Sequence, residues 1–288
     1  MKMLYCQCQN IHHQYNKLMG IRIPHLAIEV TRRCNIQCNH CIKGYAENRN
    51  IPLSYIDILL DQISSIGHFC PTGGEPSLNI PAIQYFIDGC KRRDIPIETM
   101  YISTNGININ NKFIDVCLEL YEICTNKMNS GVQVSNDKYH LKKGKYDDDL
   151  LSCLPFYSKR YEEGSNMRGI MVYEGLAAIN DISFAIRRFK SKVGIIYLNA
   201  EGSIIDGDCW SYDNQEDHRL CRVGSLTKYL KTKEMEEDYE RLSDTDKMYL
   251  LAKEREIQDE WMQWEDEQER KPAKIVVNMP VVKEVIKR

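Results

Sequence analysis

The chain has 288 residues, 43% hydrophobic and 27% charged, with a formal net charge of −3; this is ordinary globular composition, with room for one large α/β domain and an appendage or for two small domains. The small net charge gives no global reason to expect nucleic acid or an anionic membrane as partner, no apolar run approaches the ~20 residues of a membrane span, and the first residues lack the apolar core and cleavage site of a signal peptide. The expected location is therefore cytoplasmic, where twelve cysteines argue for metal chemistry and buried thiols over a disulfide framework.

There is no internal repeat and no Gly/Ser- or Pro-rich linker. From residue 24 an apolar β-type run, a polar or glycine-marked turn and a helical pattern recur. His25-Leu26-Ala27-Ile28-Glu29-Val30 predicts a first strand, and apolar spacing over 55–66 a helix. A short strand ending at Cys70, a helix over 80–90, a third strand from Pro96 to Ile102, a helix over 112–123 and a fourth strand at Val132-Gln133-Val134 follow. Runs at 169–173 and 193–198 predict a fifth and a sixth. Alternating strands and helices predict βαβ units and a parallel sheet, in which ligands bind beyond the carboxyl ends of the strands. Over 231–271, Met235, Tyr239, Leu242, Tyr249, Ile257, Trp261 and Trp264 fall at loosely helical spacing among Glu and Asp. That pattern predicts an acidic amphipathic helix or helical pair ending before Pro272. A solvated face is its plain meaning, and a docking surface for a basic leader peptide or a reductase the sharper one. Ile275-Val276-Val277, near the end, suits a strand or a loose tail.

Directly after the first predicted strand stands Cys34-Asn35-Ile36-Gln37-Cys38-Asn39-His40-Cys41. Three thiolates this close converge only if the loop curls around a common centre, and thiolates are the normal ligands of iron–sulfur clusters. Three ligands on a four-iron cube leave one iron open. The alternative is a zinc site completed by a fourth ligand; His40, adjacent to Cys41, is awkwardly placed to supply it, and a second Cys-x-x-Cys pair is missing.

The loop resembles the signature of the radical S-adenosylmethionine (radical SAM) enzymes, and the resemblance extends over about 22–205. It implies an α/β fold, a partial (β/α)6 TIM-like barrel, with a [4Fe-4S] cluster on Cys34, Cys38 and Cys41 at its mouth. It also implies that the open iron chelates the methionine end of S-adenosylmethionine. One-electron reduction, from an external flavodoxin- or ferredoxin-type donor, would then yield a 5′-deoxyadenosyl radical that abstracts a substrate hydrogen. His40 stands where the family commonly has an aromatic residue near the adenine.

Thr72-Gly73-Gly74-Glu75-Pro76 would alone be a turn; its glycines allow close backbone approach and its carboxylate can accept from an ammonium group. By resemblance Gly73, Gly74, Glu75 and Pro76 form the segment that binds the methionine amino group; Ser103 and Asn105, at the end of the third strand, are candidates for the cofactor site, with an Asn-Gly turn as the plain alternative. Ser135 and Asp137 share one side if the fourth strand persists, which suits ribose hydroxyls or methionine polar atoms; a Ser and Asp capping the next helix is the alternative. His140 reads as local structure or a substrate contact, and Arg168 as a ligand for the methionine carboxylate or a surface arginine. The segments 199–209 and 220–226 resemble a worn version of the C-terminal (SPASM-like) extension of peptide-modifying relatives, which tilts the expected substrate toward a peptide or protein. A small molecule such as a nucleotide or sugar is the second reading, and a non-enzymatic zinc-binding interaction module the third. An auxiliary cluster on Cys6, Cys8, Cys209 and Cys221 is weighed against a hairpin and cap without metal, which is the expectation. The expected organisation is an N-terminal extension (1–21), a radical SAM core (22–205) and a C-terminal cap with an acidic helical extension (206–288).

Overall fold

The computed structural model describes residues 20–160, 174–180 and 195–241, with side chains as far as 233. Arg168, the strand expected at 169–173, Cys6 and Cys8, and the chain beyond 241 lie outside the described residues. In chain order the elements are β1 (Ile21–Thr31), α1 (Leu53–Leu60), β2 (Ile63–Gly73), α2 (Ile80–Arg92), β3 (Ile97–Thr104), α3 (Asn111–Ile123) and β4 (Gly131–Val134). Shorter pieces follow: α4 (Lys138–Leu141), α5 (Asp148–Leu151), β5 (Tyr157–Lys159), α6 (Gly175–Ile179), β6 (Ile196–Leu198), β7 (Ser203–Asp206), β8 (Arg219–Arg222) and α7 (Leu226–Arg241). The chain divides into two compact units, Met1–Leu230 and Lys231–Arg288; the described part of the second is the continuation of α7. Among the described residues no helix is long and apolar enough to cross a membrane.

One sheet organises the first unit, in the order β5-β4-β3-β2-β1-β6-β7-β8. The strands from β1 to β6 pair in parallel, and β7 and β8 complete an antiparallel meander. This is the parallel α/β architecture of a partial TIM-like barrel. The sixth parallel strand returns to the free side of β1, pairing Ala27 with Tyr197, so the two ends of the sequence core meet at β1. The hairpin expected in the 199–226 region is therefore built on the expected sixth strand itself, with Ile196 opposite Asp206.

Period-two alternation sorts β1 into two faces. Leu26, Ile28 and Val30 join the helix-side core with Ile56, Leu59, Ile83 and Phe86, where Phe69 stacks on Phe86 with ring centroids 3.8 Å apart. Ala27 faces the other way, in a small cluster with Tyr197 and Ile205, and Glu29 is buried among polar partners. Helix α2 carries Pro in its first turn and Lys91 and Arg92 in its last, which suits both ends of the helix dipole. Helix α3 starts where the Asn110 side chain accepts the Phe113 N–H at 3.1 Å, and it buries Phe113, Val116, Cys117 and Leu120 at helical spacing.

Two elements differ from the sequence expectation. The helix expected over 55–66 ends at Leu60, and Ile63 and Ile66 begin β2, which runs on through Thr72 to Gly73. Those isoleucines continue the helical period, but parallel pairing with β1 along the eleven-residue strand overrides it. Strand β5 has no sequence signal because three residues, Tyr157-Ser158-Lys159, are too few to show a period.

Candidate active site

The cysteine loop leaves the carboxyl end of β1 and is anchored on three sides. Toward β2, the Gly74 N–H donates to Thr31 O and the Glu75 N–H to Arg33 O, both at 2.8 Å. This contact explains the glycines: a Cβ on Gly73, whose φ is +133°, would lie 1.9 Å from Thr31 O, and one on Gly74 would lie 2.3 Å from Arg33 O. They admit the chain's own backbone. Toward β3, Asn105 Nδ2 donates to Asn35 Oδ1 at 2.8 Å, and Asn35 Nδ2 donates to Ile107 O at 2.6 Å. On the third side the Leu176 N–H, opening α6, donates to Cys41 O at 2.8 Å. Within the loop a turn from Cys38 O to the Cys41 N–H, 3.1 Å, curls the backbone.

A second network closes the side next to β6. Buried Glu29 accepts from Arg32 Nε (2.7 Å), the Tyr197 hydroxyl (2.8 Å), Gln215 Nε2 (2.7 Å) and the Ala200 N–H (3.1 Å). Arg32 also reaches Glu47 at 3.0 Å and Gln215 Oε1 at 2.8 Å. Buried Lys43 donates to Tyr197 Oη at 3.1 Å and to Asp208 O at 2.7 Å. Such charges persist in an interior only with this degree of pairing.

Cys34, Cys38 and Cys41 line one cavity of about 440 Å³, together with His40, the Gly73-Gly74-Glu75-Pro76 segment, Ser103 and Asn105 from the end of β3, and Ser135 and Asp137 after β4. Glu75 is 1% exposed. Its Oε1 accepts from the Ser77 N–H (3.1 Å) and Thr104 Oγ1 (2.7 Å), and its Oε2 from the Asn105 N–H (2.8 Å). Three of a carboxylate's roughly four acceptor sites are thereby taken, and burial still raises its pKa. Asp137 caps α4, accepting the N–H groups of Tyr139 and His140, and its Oδ2 lies 2.7 Å from His140 Nδ1. Burial works against that carboxylate, but the His140 contacts outweigh it and the pKa falls. The cap is thus formed on a residue that also faces the cavity.

Burial, with the neighbouring thiols adding to it, pushes Cys34 up to about 11 and Cys38 up to about 12; burial raises Cys41 as well. Thiolates crowded like this need a cationic centre among them. Among the described residues, two buried side-chain nitrogen or oxygen atoms have no hydrogen-bond partner, His40 Nδ1 and Tyr212 Oη, and both side chains line this cavity. An orphaned buried polar group costs about 1–3 kcal/mol, so the pair marks a space shaped for polar occupants. The donor set and the orphans both fit a cluster with a polar co-substrate. His40 packs against Tyr139 and His140, with ring centroids 4.7 and 4.8 Å away, and burial lowers its pKa to about 4. A second donor set also exists: donor atoms of Cys38, His40 and His140 all lie within 4.8 Å of one another.

The structure adds Lys43, Cys70, Arg160, Asp208, Cys209 and Tyr212 to the lining. Arg160 directly follows β5, a strand with no sequence signal; Lys43 follows the cysteine loop, Cys70 lies on β2, and Asp208, Cys209 and Tyr212 come from a segment distant in sequence. Cys221 lies on β8 and packs against the helix-side core, whereas Cys209 faces the cavity.

The site is thus a three-cysteine loop at the carboxyl edge of a parallel α/β sheet. Residues 28–157 match the radical SAM superfamily model. That superfamily works with a [4Fe-4S] cluster and S-adenosylmethionine. The chain is 28% identical over 127 residues to uncharacterized protein MJ0907 of Methanocaldococcus jannaschii, covering 43% of this chain and 44% of that one. It is 36% identical over 98 residues to the GTP 3′,8-cyclase of Shewanella denitrificans, covering 31% and 28%. It thus matches less than half the length of these curated relatives. Among solved structures, histidine-tagged anSMEcpe with bound AdoMet aligns at a TM-score of 0.44 and 14% identity, over 73% of this chain and 80% of that one.

Proposed function

We propose that the chain reductively cleaves S-adenosylmethionine at a [4Fe-4S] cluster held by Cys34, Cys38 and Cys41 and abstracts hydrogen from a substrate. The observation that carries this reading is the convergence on one cavity of these three cysteines and of the two side chains that carry the orphaned polar atoms, His40 and Tyr212. When bound, the cluster and co-substrate supply a one-electron cleavage that generates a 5′-deoxyadenosyl radical. The chain's own residues position and shield. Gly73 and Gly74 clamp the loop to β1, and Asn105 fixes its first turn. Pro76, His40, Ser103, Ser135 and Asp137 wall the space for the co-substrate. Glu75, three-quarters saturated by protein donors, keeps one acceptor site for an ammonium group and otherwise ties the end of β2 to that of β3. Arg160, which lines the cavity, is a second candidate beside Arg168 for holding the methionine carboxylate.

The reading carries with it an external one-electron reductant of flavodoxin or ferredoxin type, a cytoplasmic setting, and a core over 22–205 flanked by an N-terminal extension and a C-terminal cap. For the substrate we favour a peptide or protein, supported by the resemblance of 199–226 to the extension of peptide-modifying enzymes. A nucleotide is supported by relatives named GTP 3′,8-cyclase, through matches covering 28% and 29% of their length. A zinc module is the other reading, favoured by the Cys38, His40 and His140 donor set. Anaerobic protein analysed for metal and sulfide, then incubated with reductant and S-adenosylmethionine, decides: iron, sulfide and 5′-deoxyadenosine support the enzyme, whereas zinc alone without sulfide refutes it.

A further inference from the structure

Tyr212 is 8% exposed, its hydroxyl lacks a partner, and its side chain lines the cysteine cavity. Its position is built from both directions. The Tyr212 N–H donates to Lys43 O at 3.0 Å, two residues past Cys41. The Arg32 guanidinium lies 4.7 Å from the ring centroid and is itself held by Glu29. The ring is therefore gripped by the residues that flank the loop.

The hydroxyl is a donor in search of an acceptor. Burial, then the negative charges of Glu29, Cys41 and Cys34, push its pKa up, so it keeps its proton. Glu29 is not the missing acceptor. Arg32 and the Ala200 N–H occupy its Oε1, and Tyr197 and Gln215 occupy its Oε2. The other acidic groups within electrostatic reach of the hydroxyl are the Cys41 and Cys34 thiols, which line the same cavity as Tyr212.

We propose that Tyr212 Oη donates a hydrogen bond to cluster sulfur, a thiolate of Cys34 or Cys41 or an adjoining sulfide, and so sets the reduction potential of the cluster. This rests on the cluster assignment above. Hydrogen bonds to the sulfurs are one of the levers a protein has on cluster potential; a donor stabilises the reduced form, which carries the extra negative charge.

The test is a redox titration, followed by electron paramagnetic resonance, on the full chain reconstituted anaerobically without S-adenosylmethionine. Tyr212→Phe keeps the ring and its stacking on Arg32. It should hold the same iron and sulfide as wild type but titrate at a more negative midpoint. At the wild-type midpoint its reduced-to-oxidised ratio should fall about tenfold, equivalent to ~59 mV for a one-electron couple. Incorporating 3-fluorotyrosine at 212 keeps the fold and strengthens the donor, so the midpoint should move the opposite way; this decides the matter if the Phe variant does not fold. A fully loaded Tyr212→Phe with the wild-type midpoint overturns the proposal alone, as does a shift seen only once S-adenosylmethionine is added, which would assign the hydroxyl to the co-substrate. A wild-type chain that takes up no four-iron cluster overturns the cluster assignment and this proposal together.

Discussion

Glu75→Gln is the substitution that best separates a strut from a ligand. The carboxylate accepts three protein hydrogen bonds, from Ser77 N, Thr104 Oγ1 and Asn105 N, all at 2.7–3.1 Å. A glutamine amide placed at the Oε2 position sets its N–H groups against the Asn105 N–H. Placed at Oε1 it opposes the Ser77 N–H, and the Thr104 oxygen there already accepts from Gly106 N at 2.9 Å. Either rotamer loses a charge-assisted bond, worth about 1.5–3 kcal/mol, and leaves a donor facing a donor. Relief from burying a charge works in the opposite direction, so the net loss should be about 2–3 kcal/mol. At roughly 2–4 °C per kcal/mol for domains of this size, Tm should fall by about 4–12 °C. The assay is thermal unfolding of the cluster-free protein, followed by S-adenosylmethionine binding on reconstituted protein. A Tm within 1 °C of wild type would refute the strut. Weakened co-substrate binding at unchanged Tm would place the role of Glu75 in direct ammonium contact.

Changing Cys34, Cys38 or Cys41 to Ala should each abolish the brown absorption and reduce the iron count from about four toward zero; a full cluster retained in any one removes that ligand from the set. Arg32→Met leaves Glu29 as a buried, under-paired charge and should cost about 3–5 kcal/mol in urea unfolding; a loss under about 1 kcal/mol would contradict the buried network. His68 has its pKa lowered to about 4 by burial, with His25 adding to it. Below an unfolded value of about 6.5 the unfolded chain binds the extra proton first, so stability should fall as pH drops from about 6.5 toward 4. His68→Gln should flatten that slope, and an unchanged slope would argue against it. With Cys34, Cys38 and Cys41 all Ala, reconstituted protein should hold no residual four-iron cluster on Cys209 and Cys221; a count near four irons, lost on changing those two, would disprove this.

Much of β1 to β4 is legible in the sequence because each strand carries its own alternation and each following helix its own apolar stripe, as in Leu26-Ala27-Ile28-Glu29-Val30 and Phe113 to Leu120. The end of α1 is not, since Ile63 and Ile66 satisfy the helical period and only pairing with β1 makes them strand. In the site, the cysteine loop and the Gly-Gly-Glu-Pro segment are legible because residue type and spacing within a few positions declare the chemistry. The meaning of the glycines is legible only in part, for the backbone they admit is that of Thr31 and Arg33. Lys43, Arg160 and Tyr212 are invisible because their significance lies in partners far along the chain: Lys43 meets Tyr197 across 154 residues, and Glu29 meets Gln215 across 186. No local pattern encodes such a meeting.

The return of β6 to the edge of β1 also orders the assembly of the site in time. The cysteine loop, its glycine clamp and Asn105 all lie within 31–107, so this half can form from contacts of moderate sequence separation. The wall that carries Tyr197, Asp208, Tyr212 and Gln215 joins only after a loop of roughly 160 residues has closed, and contacts that distant form late because the entropy of closure must be met first. In that order of assembly the cysteine loop would be open on the side that the segment after β6 later covers, and a cluster bound there would have its widest access before that wall docks.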